Sequence, residues 1–376
     1  MLGFQPYETF QLLVENGGIE RTNTLLIAAC DAYARRGKPT PVELDQFEAL
    51  ASRLFPAAGP QARAKGAAIL GKADLLSPAL ERLVTAHIGD DLEAFLEAVP
   101  ALSEDTILEI IADGDVGAAA ILAGRDDLSN AALAKLFGLN SRKVYRALAA
   151  NPAIVPRGAY LSALARSAQM DHVVAQTLAK REDFDAGLLA PAFFDLSNDD
   201  RIKVIQSFAN RPTPLAPIKK TIEQISVANQ ELTRALMKLF SENRRPEVTR
   251  LLSQITGLDE VRCGQIAHDV TGASLFVILR AFGCSAYEGL KVLIHATSHD
   301  SDRSRALGDF ATLFSTVPAD AMAYLMSAWR GEVNLLELNK PQYQPQSQRR
   351  LLSTSQSSAV NGAVESAARL GIKRAS

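Results

Sequence analysis

The chain has 376 residues, of which 47% are apolar, 22% charged and only 6% aromatic, a balance that fits an alanine- and leucine-rich helical protein better than a β-sandwich or barrel. A formal net charge of -2 is not that of a general polyanion binder. Three widely spaced cysteines, Cys30, Cys263 and Cys284, argue against a disulfide framework and read as core thiols in a reducing compartment.

Met1 to Glu15 carry acid and no basic cluster ahead of an apolar run. No stretch reaches the roughly 18 apolar residues of a membrane span. A cytoplasmic protein, neither exported nor spanning, is expected. Residues 1–65 read as an N-terminal helical cap, with apolar spacing at Phe10, Leu13 and Val14, at Leu25, Leu26 and Ala29, and at Leu44, Phe47, Leu50, Ala51 and Leu54. Thr40, Pro41 and Glu43 make a start signal for the third helix, because threonine caps, proline suits the first turn and glutamate closes a capping box.

An internal repeat follows. Apolar anchors recur at Leu70, Leu96, Leu122 and Leu148, three steps of 26 residues, and continue in steps of 30 to Leu178 and Phe208. Six positions after the first five anchors stands a second apolar residue, Leu76, Leu102, Leu128, Ile154 and Phe184, followed by Ser77, Ser103, Ser129, Val155 and Asp185. Four of those five can cap a helix. Pro214 breaks the pattern in the last unit. Ser129 and Ser141 each open a helix, with the turn at Gly138-Leu139-Asn140 between them. Such short units bury their apolar faces only by stacking, so the predicted fold is all-α: an α-solenoid of HEAT-like helical-pair repeats over 66–210, followed by a helical C-terminal domain.

Residues 211–217 are a proline-rich linker and 218–338 the C-terminal domain. Ile218, Ile222, Ile225, Asn229, Leu232, Leu236 and Leu239 alternate four and three apart, which is either the self-association seam of a homodimer or one long helix packed inside its own domain. Further helices are expected at 247–256, 258–269, 272–282, 286–297, 303–314 and 318–330. From 339 to 376 the chain is rich in Gln, Ser and Pro, and six basic residues against Glu365 leave it at +5, a basic tail expected to be disordered.

The run Leu275-Phe276-Val277-Ile278-Leu279-Arg280-Ala281-Phe282-Gly283-Cys284-Ser285, with Ala149-Ala150-Asn151-Pro152 before it and Leu313-Phe314 and Tyr324 to Arg330 after it, resembles the DUF2336 family of alphaproteobacterial proteins. The likeness spans roughly residues 65–335. It implies an all-helical cytoplasmic bacterial protein and supplies no catalytic or cofactor-binding residue.

Common nucleotide, zinc-knuckle and hydrolase signatures are absent, and no cofactor is expected. The weak metal candidates are His268, Asp269, His295, His299 and Asp300; two histidines four apart share a helix face only if the helix runs that far. Position 296 is alanine, so a His-Glu-x-x-His site is missing, and four of the five sit at expected helix ends or in a polar loop, where histidine and aspartate are ordinary residues. Asp90-Asp91, Asp126-Asp127 and Asp199-Asp200 read as caps at solvent-facing turns. Arg142, Lys143, Arg146, Arg157 and Arg166 form a basic cluster, either a solvated face or a polyanion contact. The expected function is a non-catalytic scaffold for a protein partner; nucleic-acid binding is the second reading and a metal-dependent enzyme the third.

Overall fold

The structure, a computed structural model, describes residues 18–37, 39–211, 229–297 and 303–338. All regular elements among these are helical. The chain divides into two compact units, Met1–Val333 and Asn334–Ser376. In the second, the described residues contribute one short helix, Leu335–Leu338.

The first unit opens with α1 (Ile19–Arg36), α2 (Pro41–Ala57) and α3 (Pro60–Leu70). The start signal of α2 forms as expected: the Thr40 hydroxyl accepts from the Glu43 amide while the Glu43 carboxylate accepts from the Thr40 amide. Then come α4 (Pro78–His87) with α5 (Leu92–Ala98), α6 (Glu104–Asp113) with α7 (Val116–Ala123), α8 (Asn130–Gly138) with α9 (Arg142–Ala150), and α10 (Gly158–Met170) with α11 (His172–Ala179). A 3₁₀ segment, Ala186–Asp195, pairs with α12 (Asn198–Ala209). Pro191 lies inside that segment. Its missing amide and fixed φ disfavour a regular α-helix there, so the fifth pair departs from the expected double α-helix.

The helices touch in two series. The second members α3, α5, α7, α9 and α11 contact one another in turn, and so do α2, α4, α6 and α8 among the first members. Leu70, Leu96, Leu122, Leu148, Leu178 and Phe208 all lie on second members or on α12 and are at most 1% exposed. The 26- and 30-residue rhythm is therefore the rhythm of core insertion. Ser77, Ser103, Ser129 and Asp185 each accept an amide at the start of the next helix. Ser141 stands at the N-cap of α9 without a side-chain cap, and the left-handed residue of the preceding turn is Asn140 (φ 49), not Gly138, which ends α8 in helical conformation.

Beyond residue 228 lie α13 (Asn229–Ser241), α14 (Arg245–Thr256), α15 (Glu260–His268), α16 (Ala273–Ala281), α17 (Ala286–Ala296), α18 (Arg303–Thr316) and α19 (Ala319–Trp329). α16 is buried on nearly every side and packs against α19, and both meet α12. Trp329 sits between Phe193 and Phe194, with ring centroids 5.0 Å from each. Cys30, Cys263 and Cys284 are buried. Burial pushes the Cys30 thiol up to about 12 and Cys284 to about 11. Among the described residues no helix is long and apolar enough to cross a membrane.

Candidate functional site

Asp269, of the sequence-derived metal set, has a buried carboxylate. It lies just after α15, and Oδ2 pairs with Arg201 Nη1 at 3.1 Å. Thr271 donates its amide and hydroxyl to Oδ1 at 3.0 and 2.6 Å, and Ser274 donates its amide and hydroxyl to Oδ2 at 3.1 and 2.5 Å. Burial pushes this carboxyl up, but Arg201 and these donors outweigh it and hold it below the usual carboxylate range. Arg201 also donates to the Phe193 and Phe194 carbonyls at 3.1 and 2.8 Å, so the pair ties α12 and the 3₁₀ segment to the start of α16.

His268 and His295 are exposed, the former with Nδ1 2.9 Å from the Gly264 carbonyl. α17 ends at Ala296, so the helical face that would align His295 with position 299 stops short; His299 and Asp300 lie outside the described residues. Among the described residues no three His, Cys, Asp or Glu side chains converge as a metal site.

Of the basic cluster, Lys143 pairs with Glu93 at 3.4 Å and Arg146 makes a two-pronged contact with Asp171 at 2.8 and 3.2 Å. The side chains of Arg142, Arg157 and Arg166 make no hydrogen bond or ion pair with a described residue, and all three residues are exposed. Of the self-association stripe, Leu232 and Leu236 are buried, in a helix packed on α17 and α14, and Leu239 is half-buried. Asn229 begins α13; Ile218, Ile222 and Ile225 lie outside the described residues. The acidic pairs serve several ends: Asp127 clamps Arg125, Asp200 pairs with Lys203 at 2.8 Å, and Asp90 and Asp91 sit in a 3₁₀ turn.

The prominent polar arrangement is one the sequence reading missed. In three successive units the residue three places after the anchor reaches back to the preceding unit. Arg125 donates to the Val99 and Pro100 carbonyls at 3.0 and 2.8 Å, Asn151 to those of Ala123 and Arg125 at 2.9 and 2.6 Å, and Arg181 to those of Ala149, Asn151 and Ile154 at 3.0, 2.7 and 2.6 Å. Asp127 and Asp183, two places beyond their arginines, hold the guanidinium groups, and those hydrogen bonds keep both carboxyls below the ordinary range. The equivalence of Arg125, Asn151 and Arg181 in the repeat was available as a signal. Arginine and asparagine at one register position share the ability to donate to carbonyls left open at helix C-termini.

These packed helix pairs, whose arginines serve main-chain carbonyls between neighbouring pairs, make the described residues an all-helical body of paired short helices. The chain belongs to the DUF2336 family, described as an uncharacterised protein conserved in bacteria, whose model matches residues 93–326. No curated protein and no solved structure matches it.

Proposed function

We propose that the helix pairs over 66–210 stack as a short HEAT-like α-solenoid, continued by a helical domain over 218–338, and that the whole is a non-catalytic cytoplasmic scaffold for a protein partner. The observation that supports it is the two-series contact pattern of α2 to α11 with its side-chain rungs between units, because stacked equivalent positions create an extended surface suited to holding another chain. Affinity capture from a bacterial lysate with the full chain, and with the chain ended at Leu338, tests it. A specific partner retained by both supports recognition by the helical body, a partner lost on truncation moves recognition to the tail, and capture of nucleic acid alone overturns the scaffold.

Nucleic-acid binding is the second reading, favoured by the exposed Arg142, Arg157 and Arg166. Counterion release makes such binding fall steeply with salt, so a labelled duplex titrated at two salt concentrations separates the two.

A further inference from the structure

The rungs between units begin one unit late. In three successive units the side chain three places after the anchor donates to the carbonyl at the same place in the unit before: Arg125 to Val99, Asn151 to Arg125, Arg181 to Asn151. The next rung back would run from Val99 to Ala73. Valine has no donor, and among the described residues no side chain donates to the Ala73 or Asp74 carbonyl. The backbone at Ala73 is nevertheless built like the turns at Arg125 and Arg181. The Ala73 amide donates to the anchor carbonyl of Leu70 at 2.9 Å, as Arg125 does to Leu122 at 3.0 Å and Arg181 to Leu178 at 3.1 Å.

At this junction lies an open pocket of about 230 Å³, lined by Ala73, Asp74, Leu76, Pro78, Val99 and Leu102 among others. Asp74 is exposed and makes no hydrogen bond or ion pair with a described residue. It stands one position before the place where Asp127 and Asp183 grip their arginines in later units. The pocket thus offers an apolar wall and a free carboxylate beside a turn whose counterparts are served by guanidinium or amide donors.

We propose that this pocket is a docking site for an arginine side chain presented by the protein partner, which completes from outside the rung that Arg125 completes from within one unit later. The proposal rests on the scaffold reading above and names the partner's chemistry. Leu76, Pro78 and Leu102 suit the methylene stem of arginine, and its planar fork can serve a carboxylate and a carbonyl together. Lysine, a single point of charge, matches that arrangement less well.

The test is a titration of the full chain, carbon-13-labelled at leucine and valine methyls, with an acetylated and amidated Ala-Arg-Ala tripeptide and its lysine counterpart. The arginine peptide should give saturable shifts at Leu75, Leu76, Val99 and Leu102, and the lysine peptide far smaller ones. Val99→Arg should supply the missing rung from within and abolish the shifts. Asp74→Asn, at an exposed position that does not endanger folding, should weaken binding about tenfold, the loss expected for one charge-assisted hydrogen bond. Absence of saturation, equal binding of the lysine peptide, or undiminished binding in folded Val99→Arg or in Asp74→Asn overturns the pocket. A partner captured equally well by wild type and by folded Val99→Arg overturns it too, and leaves the scaffold reading standing.

Discussion

Arg181 donates to the main-chain carbonyl of Asn151 at 2.7 Å, and Asn151 is the residue that occupies Arg181's own register position one unit earlier. The two meet because α9 and α11 pack against each other. Arg181 is 11% exposed at its side chain and satisfies three carbonyls besides Asp183. Replacing it with methionine keeps much of the apolar contact and removes every donor, so we expect a loss of about 2–4 kcal/mol from part-buried carbonyls left unpaired. Urea denaturation measures it; a change under half a kcal/mol, roughly the size of an ordinary surface substitution, would remove the rung from the account of stability.

Leu122 is fully buried on α7, which contacts both α5 and α9. Leu122→Ala should destabilise by about 2–5 kcal/mol through lost transfer energy and a residual cavity. An unchanged denaturation midpoint would place the anchor register in error.

The Asp269 carboxyl is held below its unfolded value, so the folded state binds fewer protons than the unfolded one. The stability from this pairing is fully present above about pH 3.9 and is lost as pH falls from there through the folded value. Asp269→Asn should lower stability at neutral pH by about 3–5 kcal/mol, since Arg201 would stay largely buried without its counter-charge. It should also flatten the acid limb. Denaturant midpoints measured from pH 3 to 7 on both proteins check the two effects, and parallel acid limbs would contradict the pairing.

Two glycines should respond with opposite signs. Gly264 lies within α15 with open space where a Cβ would go, so Gly264→Ala should stabilise by about 0.5–1 kcal/mol. Gly289 lies within α17, where a Cβ would overlap the Phe314 ring, and Gly289→Ala should destabilise by about 1–3 kcal/mol. Thermal melting of the two variants decides it; equal shifts would mean that Phe314 yields freely.

Leu232 is 7% exposed in a helix packed on α17. Leu232→Asp should therefore lower the melting temperature by the same amount at every protein concentration. A midpoint shift that depends on concentration would instead return this stripe to a contact between chains.

The sequence alone determined the helical class, the register of the anchors and most helix starts. Each of these is local: apolar spacing selects the helical period, and a serine or aspartate before an apolar run supplies the acceptor that the first amides lack. It also marked the bounds of α14 to α19 to within two residues, because glycine, proline and capping residues punctuate that stretch. The tertiary structure alone decided what the polar side chains do. Lys143 and Arg146 look alike within a basic stretch, and only the fold brings Glu93 and Asp171 to them from 50 and 25 residues away. Asp269 follows His268 directly in the sequence, and only the fold sets Arg201, 68 positions earlier in the chain, against it. The rungs at Arg125, Asn151 and Arg181 belong to the same class. Their acceptors are main-chain carbonyls, which every residue carries and no sequence distinguishes, so a donor's partner exists only once stacking has put one turn beside the next.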